Sequence, residues 1–285
     1  MSKHFIALAG LMILIAAAQA QVPPAKTSAA KKRDAAPVTK ANETKIWNPV
    51  AEAFEYSGNL PPKYNGTSAG GLIRWIERKG LDKKGEFEKQ AAFERRVADE
   101  MSTLAGKLFA FRIDTYEVRY KAFDADKEAF LPDSVVGISF IQDGAQEFTT
   151  EKLDRTLGTY IGQNAYGASI KVTKVDGEWS GIRIRREDFL ESKMFAEERY
   201  SSWLKLSHEL KMSIDRARTV DAKNIAFLAV GSIDAPDIKS SAICLTPKVD
   251  SPYDGCTSTK YVLLKIKKFV LYDFKSGEVL YESTK

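Results

Sequence analysis

A chain of 285 residues with 44% apolar and 28% charged side chains is long enough to bury a large core without metals or dense disulfides. Its net charge of +5 does not mark a nucleic-acid reader. Residues 21–46 alone carry Lys26, Lys31, Lys32, Arg33, Lys40 and Lys45 against Asp34 and Glu43, which leaves the body near neutral. His4 lies in an N-terminal leader segment and would leave with it, so His208, Cys244 and Cys256 alone remain, short of a four-ligand zinc site of the Cys/His type, and neither a metal nor another cofactor is expected.

Lys3 and His4 open the chain, an apolar run extends from Phe5 to Ala18, and Ala18-Gln19-Ala20 ends it in the small-x-small pattern that signal peptidase cuts. The run is short for a bilayer span, which needs about 20 residues. The expectation is a signal peptide over 1–20, cleavage between Ala20 and Gln21, and delivery to the periplasm or the medium. No later stretch is apolar for long enough to span a bilayer, so the mature chain is expected to have no transmembrane span. Residues 21–46, with Pro23-Pro24, Pro37 and repeated Ala and Lys, read as a disordered basic arm. Such an arm supplies reach, or electrostatic contact with anionic envelope polymers.

The body, 47–285, reads as α+β with a mainly antiparallel sheet and a few helices, either as one unit or as two lobes of about 47–186 and 187–285. Gly70–Lys79 suits a short helix stopped by Gly80. Glu86–Ala105 suits a longer one, because Phe93, Val97, Met101 and Leu104 share a stripe. From Lys107 the period drops to two: Phe109, Phe111 and Ile113 alternate with Ala110 and Arg112. A strand from Tyr116 to Phe123, a turn at Asp124-Ala-Asp126-Lys127 and a return through Phe130-Leu131 make a hairpin. Val135–Ile141 is a further strand, ended by Asp143-Gly144.

Residues 150–161 fit a helix on Leu153, Leu157 and Ile161. Ile170–Val175 and Trp179–Ile184 read as a hairpin turned at Asp176-Gly177. Residues 187–205 permit a helix. Leu206–Ile214 alternates as a strand, and Asp215 begins a helical turn. Ile225–Val230 is apolar on both faces, the mark of a central strand. Tyr261–Phe274 reads as a long strand bulged at Lys267-Lys268, turning at Lys275-Ser276-Gly277 into Glu278–Glu282.

Cys244 and Cys256 bracket a loop rich in Pro, Ser, Asp and Gly. In an oxidising compartment an even pair of this kind is expected to form a structural disulfide and hold a rigid exposed surface. His208 falls on the apolar side of its strand, where a packed, hydrogen-bonded imidazole is the plainer reading than a catalytic base. Ser202-x-x-Lys205 and Lys275-Ser276-Gly277 match two elements of the penicillin-binding and β-lactamase pattern, but the third is missing. Acidic Glu86, Glu88, Glu94 and Asp99 sit beside Arg95 and Arg96 as a solvated helix face, and no carboxylate spacing selects a glycosidase pair. Gly162-Gln-Asn164-Ala-Tyr166-Gly167 lacks a phosphate-loop pattern. Its glycines suit a chain reversal, while Tyr160, Asn164 and Tyr166 form a candidate ligand loop.

Three segments carry a resemblance: Gly85-Glu-Phe-Glu88-x-x-Ala91-x-Phe93-Glu94-x-Arg96, Tyr160-Ile-Gly-Gln-Asn164-Ala-Tyr-Gly167, and Tyr272-Asp-Phe-x-x-Gly277-Glu-Val-Leu280. They resemble segments of exported bacterial proteins of uncharacterised function, with no named family. The resemblance implies compartment and single-chain arrangement, and brings no activity. The reading is an exported, non-catalytic binding protein of the bacterial cell envelope, its partner an envelope protein or a small ligand and not nucleic acid. The competing classes are an envelope-polymer hydrolase using carboxylates or a Ser–Lys pair, and a structural subunit of an envelope assembly.

Overall fold

The computed structural model describes residues 47–55, 58–113, 118–133, 137–139, 144–163, 167–197 and 203–283. The leader with Ala20 and Gln21, the arm over 21–46, Asn164, Tyr166 and Ser202 lie outside the described residues. Lys45–Lys285 form one compact unit. Among the described residues it is sheet-rich and mostly antiparallel, with thirteen strands and four α-helices.

Helix α1 (Ala69–Arg78) starts where Ser68 Oγ accepts the Gly71 N–H at 2.9 Å, and it stops at Gly80, whose φ of +62° favours glycine. Leu72, Ile73 and Ile76 are buried on its inner face. Helix α2 (Gln90–Ser102) is shorter than its sequence stripe. Phe93, Val97 and Met101 are only half-buried and Leu104, past the helix end, is the buried member. The chain before α2 is held otherwise: Arg96 donates to Glu88 Oε2 at 2.8 Å and to the carbonyls of Lys79 and Gly80 at 2.8 and 2.7 Å. One guanidinium thus satisfies open carbonyls at the end of α1 and ties the two helices together. It also holds the Glu88 carboxyl below the usual carboxylate range.

The first strands follow as β1 (Phe109–Ile113), β2 (Tyr120–Asp124), β3 (Ala129–Pro132) and β4 (Gly137–Ser139). The expected β2–β3 hairpin forms, with Asp124 Oδ1 accepting the N–H groups of Asp126 and Lys127. Then come β5 (Ala145–Gln163), β6 (Ser169–Arg185), helix α3 (Arg186–Glu191), β7 (Phe195–Glu197), β8 (Trp203–Leu206) and β9 (Leu210–Lys211). Helix α4 (Ile214–Ala217), capped by Ser213, precedes β10 (Ile225–Ser232), β11 (Ile238–Leu245), β12 (Tyr253–Asp273) and β13 (Val279–Glu282). Strands β2, β3 and β9 make one small sheet, and β4, β8 and β7 another.

Strand β12 is the spine of the large sheet. Its second half pairs with β10 on one edge and β13 on the other, both antiparallel. Its first half pairs antiparallel with β11 and parallel with β6. The register slips where Val230 faces Lys268 but Gly231 faces Ile266, so Lys267 is the extra residue of the expected bulge. Strand β10 is central as expected, between β1 and β12 and buried on both faces. Phe227 and Ala229 join the main core with Phe109, Phe111, Phe269 and Leu271. Ala226, Leu228 and Val230 face a smaller core with Phe54, Leu60, Val270 and Tyr272.

Two sequence expectations fail on the same hairpin. Residues 150–161 are not a helix; they belong to β5, and Leu153, Leu157 and Ile161 are 48%, 64% and 68% exposed. Their spacing mimics a helical stripe, but no core lies opposite it, and the β-branched residues Thr149, Thr150, Thr156 and Thr159 suit a strand. Asp176-Gly177 is not a turn either, because β6 runs straight through it. Gly177 is there for close approach: a Cβ would stand 2.7 Å from Thr257 Oγ1 on the neighbouring strand. The true reversal lies between Gln163 and Ser169, where Gly167 has φ +81°. The stretch 187–205 is split between α3 and the short β7 and β8, and the expected strand over 206–214 is broken: Leu206 ends β8 opposite Phe195, and Leu210–Lys211 pair separately with β3.

Candidate functional site: the groove at the sheet tip

The outer halves of β5, β6 and β12, with β11, make a four-stranded arm. In register, Tyr160 faces Val172 and Gly162 faces Ile170, so these side-chain positions share one face of the β5–β6 ribbon. Gly162 keeps that face open, since a Cβ there would stand 3.0 Å from Val172 Cγ2. The loop after β11 supplies the opposite wall through Pro247 and Val249. Together these residues line a groove of about 700 Å³.

The groove is apolar with a polar rim. Val249 on the wall is 75% exposed, and Ile161, on the other face of the ribbon, is 68% exposed, so the hairpin tip carries apolar surface on both sides. Tyr160 donates to Asp254 Oδ2 at 3.0 Å, and the Lys174 ammonium lies 5.6 Å from the ring centroid. Desolvation, then the bond to Asp254, pushes the Tyr160 hydroxyl up, so it stays a neutral donor at ordinary pH. From Thr156 to Ile170 the sequence carries no charge at all. The uncharged run is therefore not in the core but at the open end of the longest hairpin.

The far wall is fixed by covalent chemistry. Cys244 and Cys256 are direct cross-strand partners in β11 and β12, with sulfurs at bonding distance, 2.08 Å. Within the stapled segment only 246–252 leave the strands, and Lys248 and Ser251 exchange backbone hydrogen bonds at 3.0 and 3.2 Å. Thr173 N–H donates to the Pro252 carbonyl at 2.8 Å, which fastens the loop to β6. The cysteine loop and the Tyr160 segment, separate features in the sequence, thus meet across one groove.

Other sequence candidates fall elsewhere. Lys205 is on β8, and Lys275-Ser276-Gly277 forms the β12–β13 turn, with Asp273 Oδ1 accepting the Lys275 N–H at 2.8 Å. His208 is not on a strand. It is half-buried between β8 and β9, and its ring stacks on Tyr281 at 3.8 Å. Burial lowers its pKa against a smaller opposing pull from Glu209. The unfolded chain therefore takes up this proton before the folded one does. Stability is fully present above the ordinary value of 6.5 and falls as pH drops through it toward the lower folded value. Replacing His208 by Phe, which keeps the stack and removes the titration, is expected to flatten the stability–pH curve below that point in denaturant unfolding.

A second cleft, of about 600 Å³, lies between α1 and the arm. The sequence reading missed it, because its carboxylates come from separate elements. Glu77 is paired with Lys260, and Glu151 accepts the Gly70 N–H at 3.3 Å near the start of α1. Both are engaged in holding α1 against the sheet. Among the described residues no group of three or more His, Cys, Asp or Glu stands together, and no helix is long and apolar enough to cross a membrane. No family model, no curated protein and no solved structure matches this chain.

Proposed function

We propose that this is an exported, non-catalytic binding protein of the bacterial cell envelope that takes an uncharged, largely apolar ligand segment in the tip groove. The observation that carries the reading is the groove itself, an exposed apolar surface between Tyr160 and a disulfide-stapled loop. Apolar clefts with a few placed polar groups are the common form of a binding site. Here Tyr160 supplies the polar point, and Ile170, Pro247 and Val249 the apolar contact. Export is supported by the leader pattern over 3–20 and by the disulfide, which suits an oxidising compartment. The arm over 21–46 would provide reach toward anionic envelope polymers.

A polarity-sensitive naphthalene dye tests the groove directly. The unmodified protein is expected to bind it with a blue-shifted emission. Val249→Asp, at an exposed position, should weaken binding by about tenfold, equivalent to about 1.4 kcal/mol, while circular dichroism stays unchanged. Equal dye binding by both proteins would refute the assignment. One observation favours the structural-subunit reading as well: among the described strands β11 pairs only with β12.

A further inference from the structure

We infer that β11 is a self-pairing edge, and that two copies of this chain join through it into one continuous antiparallel sheet. Strand β11 pairs only with β12 among the described strands, and Ser240 through Leu245 are all exposed. An open edge presents a row of N–H and C=O groups whose natural partner is another extended strand. Edges are normally protected by charge, proline or bulges. The opposite edge of the same sheet has such protection: β5 is interrupted by register shifts between Thr149 and Glu151 and between Thr156 and Gly158. Strand β11 has neither device. It keeps one unbroken register over all eight residues, and its only charge is Lys239, engaged by Glu147 at 3.0 Å.

The occupant follows from charge and symmetry. A charged partner segment would find nothing to read between Ser240 and Pro247, where the sequence is uncharged. A second copy fits without conflict. Side chains alternate between faces, so two copies related by a two-fold axis perpendicular to the sheet must pair residues of the same face. The axis therefore passes through a residue, and Ala242 offers the smallest side chain to meet its own copy. In that register Ser241 lies opposite Ile243 of the second copy, Ser240 opposite Cys244, and Lys239 opposite Leu245. No like charges face each other. Ile243, 67% exposed, gains its counterpart as a diagonal neighbour, and Leu245, 46% exposed, gains the Lys239 stem. The disulfide holds Cys244 in register with β12, so the edge is presented in one fixed alignment.

Sedimentation equilibrium of the purified, disulfide-bonded protein is the test. A reversible dimer is expected, and Ala242→Lys, which places two ammonium groups at the axis, should abolish it. Ser241→Lys and Ile243→Glu should each weaken the dimer, while the double variant should restore it, because each lysine then meets a glutamate of the other copy. Circular dichroism and dye binding in the tip groove should be unchanged in all four, which separates this inference from the groove assignment. A protein that stays monomeric up to millimolar concentration would overturn the proposal. So would a dimer indifferent to Ala242→Lys, or a double variant that is no tighter than the single ones.

Discussion

Phe269→Ala is expected to destabilise the fold by about 3–5 kcal/mol, the range for removing a large aromatic side chain from a packed core. Phe269 is fully buried on β12 and meets three other rings: Phe189 stacked at 5.2 Å, Phe227 at 5.0 Å and Phe195 at 5.9 Å. These rings come from α3, β10 and β7, so one side chain joins the spine strand to three separate elements. Its loss removes both the buried area and the ring pairings, and the neighbours cannot all move inward at once. Domains of this kind hold only about 5–15 kcal/mol in total, so the variant should unfold at much lower denaturant concentration with an unchanged slope. Phe87→Ala is the control: that ring is 94% exposed, and its removal should leave the midpoint where it was. Equal midpoints for the two variants would mean that the four-ring cluster does not support the spine.

What could be read from the sequence is what local pattern alone decides. Strand β10 announces itself by being apolar at every position from Ile225 to Val230, and β12 by a long, mostly apolar run interrupted at Lys267-Lys268, where the bulge falls. Helix α1 is marked by its stop at Gly80. Local signals misled where a distant neighbour overrode them. Asp176-Gly177 has the chemistry of a hairpin turn, yet Thr257 of β12 packs where a side chain would be, and the strand runs on. Leu153, Leu157 and Ile161 have helical spacing, but spacing indicates burial only if a core exists on that side, and here the side chains face outward. The groove shows the same division. Tyr160 and the cysteine loop were each visible as features, and the staple itself was predictable from parity and compartment. Their meeting was not, because it depends on the parallel pairing of β6 with β12, which no short segment encodes. The α1 cleft was hidden for that reason too, since Glu77 and Glu151 reach it from different elements.

Replacing both Cys244 and Cys256 by serine should lower stability by about 3 kcal/mol, the loop-closure contribution of a crosslink over a segment of this length. The native strands need not change for this loss to occur. β11 and β12 remain paired through eight residues, and β6 still supports β12 on the other side. The larger effect lies in the unfolded chain, which regains the conformations the bond denied it, so the denaturant slope should rise slightly as the midpoint falls. A local effect should accompany the global one. The 246–252 loop forms the Pro247–Val249 wall, and without the staple its remaining ties are the Lys248–Ser251 exchange and the Thr173 bond to Pro252. Amide exchange in β11 and the loop should accelerate by more than that in β10, which is buried on both faces and pairs with β1 and with the second half of β12. Dye binding in the groove should weaken with it. If instead all amides sped up by one common factor and the groove bound as before, the bond would act on the unfolded state alone, and the rigid wall would owe nothing to it.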